Sequence, residues 1–320
     1  MRATNKQEIT IIGCGLAGSF LAILLTQRGH RVQMYEKLSR KEICDSNSKR
    51  SYNITFLAYG IDMLKTAKVF QILKPHMIPL KGVSTQLSKT SKPIFTPTYD
   101  KKEQYYAVSR ATLLDIMLKQ LERNELVTMH YNTTLLSIDR HERTITIQDN
   151  TTGESTTVGY QVIIGADGAN SLVRAFIQQG QHTHHQQKYA NGGYKQFTIT
   201  KEQVKKLQLQ EHIAYTWSAD QKFILAFPNF DGSLASLLIY PNKKSSLLAL
   251  KSPDDVKKLI REDFPLLQPI EEALAVQLRE NPVGTFVTIH TAPWYYKDRM
   301  ALVGDAAHGF YPFFGQGTSA

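Results

Sequence analysis

The stretch QEITIIGCGLAGSFLAILLTQRGHRVQMYEK, residues 7 to 37, constrains the fold more than any other part of the chain. An apolar run reaches Gly13, a segment with apolar residues at helical spacing continues to Gly29, and a second apolar run ends at Glu36. This is the pattern of a βαβ unit, and parallel strands joined by a helix commit a chain to an α/β architecture. Gly13, Gly15 and Gly18 form G-x-G-x-x-G at the strand-to-helix turn. In such a turn the first glycine permits the tight bend, the second lets backbone reach a pyrophosphate, and the third lets helix pack on strand. Glu36 closes the second strand, where a carboxylate can take the hydroxyls of an adenosine ribose. Cys14 is then a small loop residue and not a nucleophile. The pattern reads as a dinucleotide site and leaves NAD and FAD both open.

With 320 residues, the chain fits one large domain or two intimately built ones. Lys and Arg number 38 against 28 Asp and Glu, a formal charge of +10 that favours anionic ligands. The basic residues are scattered and no nucleic-acid motif accompanies them, so nucleic acid is not an expected partner and phosphorylated cofactors account for the charge. The apolar stretch from Leu16 to Leu25 is too short to cross a bilayer and follows a glycine loop rather than a signal-peptide head, so neither export nor a membrane segment is expected. Two cysteines without metal spacing fit a reducing cytoplasm. No metal site is expected: His182, His184 and His185 lie in a glutamine-rich stretch that reads as a strandless surface loop.

After the βαβ unit a helix is expected over 61–74, with short strands at 83–87 and 94–96, and prolines 75, 79, 93 and 97 mark an excursion from the first domain. Ser109 is a candidate N-cap for the next helix. Strands follow near 127–131, 134–138 and 143–148, and between about 190 and 290 alternating, aromatic-rich segments indicate a mostly antiparallel sheet with a helix near 254–261. The expected division is a discontinuous dinucleotide domain, 1–70, 98–175 and 288–320, and a substrate domain, 71–97 and 176–287.

Two later motifs bear on the cofactor. VIIGADGANSLVR places Asp167 and Gly168 after an apolar strand, and ALVGDAAH places Gly304 and Asp305 after another. A chain with G-x-G-x-x-G, DG and GD in this order resembles the FAD-dependent aromatic hydroxylases, the single-component flavoprotein monooxygenases. Within them it is similar to the kynurenine 3-monooxygenase subfamily. QYYAVSR at 104–110 matches that subfamily's QYxxSVSR, GGYKQFTI at 192–199 its HGYxELTI, and AFPNFDGSL at 226–234 its ALPNxDxSF, with PFFGQG at 312–317 unchanged. The resemblance implies a Rossmann-like FAD-binding domain of the GR2 type with an inserted antiparallel sheet plus helix substrate domain, and a C-terminal part apparently missing.

By position, the resemblance implies that Arg110 contacts the FAD phosphates and Asp305 holds the ribityl chain. Asp167 and Gly168 would shape the loop shared by FAD and the incoming nicotinamide. Pro312, Phe313 and Gly315 to Gly317 would form the flavin-ring environment with backbone amides and no covalent catalyst. Tyr99 matches a tyrosine that helps hold the kynurenine carboxylate. The arginine that partners it is replaced by Val83, and Lys81, on the same face of an extended strand, is the substitute cation. Lysine lacks the planar fork of arginine, so the two are not equivalent. After GQG the subfamily reads Met-Asn, whereas this chain has Thr318 and Ser319.

The implied function is an NAD(P)H-consuming, FAD-dependent monooxygenase that uses O2 to hydroxylate an aromatic amino-acid metabolite of tryptophan catabolism, kynurenine first. Two rivals stand beside it. One is another flavoprotein of the same fold, although the halogenases' W-x-W-x-I-P is absent. The other is a flavin-binding remnant without activity, suggested by the end at Ala320 before the expected next helix.

Overall fold

The computed structural model describes residues 6–45, 53–97, 105–180, 182–240 and 244–310. Its first layer is a six-stranded sheet in the order Tyr295–Tyr296, Met300–Leu302, Val162–Gly165, Glu8–Ile12, Arg31–Tyr35, Val127–His130. All neighbours are parallel except the short edge strand Tyr295–Tyr296. Glu8–Ile12 lies inside, with Ile9 through Ile12 buried, as expected of a strand covered on both faces. Helix Leu16–Gln27 turns Gly18, Ser19, Ala22, Ile23 and Thr26 inward, and the small residues among them let it lie close to the sheet. The core it closes also takes Leu113, Leu114, Met117 and Leu118 from helix Arg110–Glu122.

The second layer is a six-stranded, mostly antiparallel sheet in the order Gly193–Ile199, Leu234–Tyr240, Lys222–Pro228, Ile213–Ala219, Gly82–Gln86, Ile94–Pro97. Alternation divides its faces. Phe197, Ile199, Tyr215, Trp217, Ile224 and Leu238 pack with helices Pro253–Asp263 and Glu271–Glu280 into one apolar core. The residues between them in sequence turn to the opposite face. The edge strand Gly193–Ile199 is not left bare: the Gln277 side chain exchanges hydrogen bonds with the Thr198 backbone, and Asn281 Nδ2 donates to the Gln196 carbonyl.

One parallel pairing, Gly82–Gln86 with Ile213–Ala219, interrupts the antiparallel order. The preceding strand, Ile78–Leu80, pairs instead with Tyr105–Ser109 in a three-stranded sheet completed by Asn53–Phe56. Phe70, Leu73 and Met77 are buried in the core of the parallel-sheet layer.

Two local expectations are corrected. The single helix over 61–74 is instead Ala58–Thr66, a short turn Phe70–Leu73 and a 3-10 turn Lys74–His76. The chain breaks at Lys68, whose φ of 57° is left-handed, and this brings Val69 fully inside. The histidine stretch is not a strandless loop. His184–Tyr189 is a strand paired antiparallel with Val287–Ala292, and among the described residues no group of metal-ligating side chains forms. No helix among the described residues is long and apolar enough to cross a membrane.

Candidate functional site

The three glycine-bearing loops meet at the N-terminus of helix Leu16–Gln27. Gly13 has φ of 101°, and a Cβ there would strike the Ala166 carbonyl oxygen, so only glycine lets the first loop lie against the one carrying Asp167. Gly18 packs on the Gly13 carbonyl. A Cβ on Gly304, whose φ is 59°, would sit 2.7 Å from Ala17 Cβ, which brings the third loop onto the first turn of the same helix. By contrast, a Cβ on Gly15 or Gly168 would meet nothing within 4 Å. Both border open space.

The helix end is arranged to receive an anion. Gly15 is its N-cap, no side chain caps it, and its first turn contains no acid. Its leading N–H groups and dipole therefore face outward uncompensated. Glu36 is buried and braces the loop: Oε2 accepts from Cys14 N at 2.9 Å and Oε1 from Leu38 N at 3.0 Å. Burial and the Glu36 charge push the Cys14 thiol well up, which agrees with its reading as a loop residue and not a nucleophile.

Asp167 caps the helix Leu172–Gln178. Its Oδ2 accepts from Leu172 N at 2.7 Å and Val173 N at 3.2 Å, while Ser171 Oγ accepts from Arg174 N at 2.9 Å. The other oxygen, Asp167 Oδ1, is buried without a hydrogen-bond partner. Arg174 is 4% exposed and ties two loops together, donating from Nη1 to the Ala306 carbonyl at 3.0 Å and from Nη2 to the Ala169 carbonyl at 2.6 Å. Sequence reasoning gave Arg174 no role. Its place in VIIGADGANSLVR was visible, but its carbonyl partner lies 132 residues away.

Asp305 is exposed to solvent yet stands among enough protein that desolvation raises its carboxyl above the usual range, against the pull of Arg110 and His308. A carboxyl raised by desolvation, on a loop where the glycine motifs meet, marks a candidate functional site. His308 stacks between Trp294 and Phe310, with ring centroids 5.2 and 5.1 Å away. Trp294 Nε1 donates to the Thr291 carbonyl, whereas Trp217 is a core residue stacked on Tyr215.

The face of the second sheet turned away from its helices carries Val83, Thr216, Phe223, Leu225, Phe227 and Leu237, all half-buried. Asn53, paired with Ser109, donates through Nδ2 to the Pro228 carbonyl and to Asn229 Oδ1, both at 2.8 Å. This fixes the end of strand Lys222–Pro228 beside the start of helix Arg110–Glu122. Lys81 is exposed just before strand Gly82–Gln86, and its backbone N donates to the His212 carbonyl. Tyr99, Pro312, Phe313, Gly315 and Gly317 lie outside the described residues.

A parallel sheet with an uncapped helix N-terminus, an open glycine backbone and a buried acid at the next strand end defines a dinucleotide-binding protein. Residues 6–319 match the family model described as FAD binding domain. The chain is 34% identical over 317 residues to a kynurenine 3-monooxygenase of Dictyostelium discoideum, covering 98% of this chain and 67% of that protein. It is 32% identical to one from Legionella pneumophila, over 98% and 70% respectively. Among solved structures it resembles tetrameric 2-methyl-3-hydroxypyridine-5-carboxylic acid oxygenase, with 22% identity, a TM-score of 0.79 and coverage of 99% and 79%. It also resembles Pseudomonas aeruginosa PqsL in complex with 2-aminobenzoylacetate, at 17% identity and a TM-score of 0.73, with coverage of 98% and 83%. These two likenesses bear on the fold. The chain belongs to the FAD-dependent aromatic hydroxylase family, whose cofactors are FAD and NAD(P)H.

Proposed function

We propose that the protein hydroxylates an aromatic amino-acid metabolite, L-kynurenine, to the 3-hydroxy product. One oxygen atom of O2 enters the ring, the other leaves as water, and NAD(P)H provides the two electrons. The observation that carries this reading is the meeting of the three loops at one helix N-terminus, beside an apolar sheet face tied to it through Asn53. The whole-chain similarity to proteins named kynurenine 3-monooxygenase supports the substrate.

The residues present fit FAD. The N–H groups after Gly15 take the pyrophosphate, with Arg110 as its cationic partner. Glu36 takes ribose hydroxyls, and Asp305 takes the polar ribityl chain. Gly168 leaves its loop open toward the cofactor, and the free Asp167 Oδ1 is a remaining acceptor there. Bound FAD supplies the redox chemistry, accepting a hydride from NAD(P)H and activating O2 for transfer to an electron-rich ring. This chain's part is to place that ring and exclude water. Phe223, Leu225, Phe227 and Leu237 provide an apolar wall, and the family resemblance assigns the ring environment to Pro312, Phe313, Gly315 and Gly317. Carboxylate recognition falls to Tyr99 and Lys81, since Val83 presents no donor.

The test is turnover by the FAD-loaded protein. L-kynurenine is expected to accelerate NAD(P)H oxidation with an equal amount of hydroxylated product. NAD(P)H oxidation unchanged by L-kynurenine, or accelerated without hydroxylated product, contradicts the proposal.

A further inference from the structure

The turn between strands Lys222–Pro228 and Leu234–Tyr240 is built by the sequence PNFDGS, residues 228–233. Its backbone closes on itself: Asn229 N donates to the Ser233 carbonyl, Gly232 N donates to the Asn229 carbonyl, and Gly232 takes a φ of 83°. Its polar side chains form a relay. Asp231 Oδ1 accepts from Ser233 Oγ at 2.7 Å, and Ser233 Oγ accepts from Asn229 Nδ2 at 2.9 Å. With its amide nitrogen engaged inside the turn, Asn229 presents Oδ1 outward, where it accepts from Asn53 Nδ2 at 2.8 Å. Asn53 Nδ2 also donates to the Pro228 carbonyl at 2.8 Å, so the amide group of this buried side chain serves the turn alone.

Packing does not fix this junction. A cleft of about 180 Å3, lined in part by Asn53, His76, Ile78, Ser109, Thr112 and Asn229, opens beside the two amides, and Phe230 at the tip of the turn is 76% exposed. Where side chains do not interlock, directional hydrogen bonds set the position. That position has consequences at both ends. Pro228 directly follows Phe227, and its strand turns Phe223, Leu225 and Phe227 to the open face. Asn53 pairs with Ser109, and Arg110 is the next residue in the chain. Two hydrogen bonds thus join the apolar wall to the start of the helix that carries the cationic partner of the FAD phosphates.

We propose that Asn53 and Asn229 are positioning residues that hold the substrate ring in register with the flavin, and so decide what share of the reduced oxygen reaches the ring. The inference rests on the functional reading above and adds to it a determinant of coupling. When the ring is misplaced, the hydride of NAD(P)H and a solvent proton still reduce O2, and both oxygen atoms leave together as hydrogen peroxide.

The experiment measures hydroxylated product and hydrogen peroxide per NAD(P)H oxidised, at saturating L-kynurenine, for the FAD-loaded parent, Asn53→Ala and Asn229→Ala. FAD affinity and thermal midpoints are measured beside them. The expected result is parent-like FAD affinity in both variants, with product per NAD(P)H about tenfold lower in Asn53→Ala and hydrogen peroxide making up the difference. Asn229→Ala should lose less, because Asn53 keeps the Pro228 carbonyl. A merely structural role would lower the thermal midpoint and leave the product ratio of the folded enzyme intact. A parent-like ratio in both variants therefore overturns the inference and leaves the functional reading standing. Weakened FAD binding with an unchanged ratio also overturns it, because Asn53 would then serve the cofactor helix. If Asn53→Ala does not fold, the ratio in Asn229→Ala decides alone. A parent that forms no hydroxylated product from L-kynurenine overturns the functional reading and the inference with it.

Discussion

Asp305 has two consequences at the scale of single residues. A carboxyl whose folded pKa is raised adds stability below its unfolded value of about 4, and that contribution is lost as the pH rises through the folded pKa. In the FAD-free protein, ionising this carboxyl therefore works against its surroundings. Asp305→Asn should leave the thermal midpoint of the FAD-free protein at pH 7 unchanged or raise it, while weakening FAD binding about tenfold. A lowered midpoint with unchanged FAD affinity would show that the carboxylate serves the fold instead. Val83 gives a second prediction. Val83→Arg restores a forked donor to the open face and should tighten L-kynurenine by about 2 kcal/mol without tightening its decarboxylated analogue. Equal affinity of the parent for both ligands, with no gain in the variant, would count against kynurenine. At this scale the sequence displayed Gly13, Gly18 and Gly304 well, because a glycine required by close approach leaves a mark in the motif itself. It did not display Arg174, whose significance depends on a carbonyl partner distant in the chain.

Among the elements, the helix Leu172–Gln178 shows how a motif can serve fold and site together. Three of its leading N–H groups are taken by Asp167 and Ser171. Ser171→Ala should cost about 1 kcal/mol in denaturant unfolding, the usual worth of an N-cap. An unchanged midpoint and slope would contradict the assignment. Arg40 joins the short helix Arg40–Ile43 to Arg110–Glu122 through Asp115 at 2.8 Å and Glu122 at 2.6 Å. Burial alone would lift the Asp115 carboxyl, but hydrogen bonds and charge from Lys119 and Arg40 outweigh it and hold it below the ordinary range. A depressed carboxyl contributes stability above its unfolded pKa and loses it as the pH falls. Because the pair is partly solvated, Arg40→Ala should cost only about 1 kcal/mol at pH 7, and the difference from the parent should shrink below about pH 4. A constant difference across that range would contradict the pairing. The elements that sequence periodicity revealed are those with one buried stripe, such as Arg110–Glu122. His184–Tyr189 escaped it because most of its side chains are exposed, so the strand exists by backbone pairing to Val287–Ala292 and not by an apolar pattern. The break at Lys68 escaped for a related reason: the apolar spacing continues across it, and only the backbone turns.

For the molecule as a whole, the parallel βαβ layer was readable because a buried parallel strand is an unbroken apolar run and its turn is written in glycines. The pairing of Gly82–Gln86 with Ile213–Ala219 was not, since it joins segments about 130 residues apart and nothing local announces a partner. That pairing nevertheless matters to the site. It brings Val83 alongside Ala214, on the face that also carries Phe227 and Leu225. The central claim is that three separated loops compose one FAD site on this frame. It is tested most directly by FAD titration of the cofactor-free protein, followed by calorimetry and the visible spectrum. The expected outcome is one FAD per chain, with affinity reduced in Arg110→Ala and Asp305→Asn while both variants keep the parent's circular dichroism. No saturable FAD binding, or binding that both substitutions leave untouched, would contradict it.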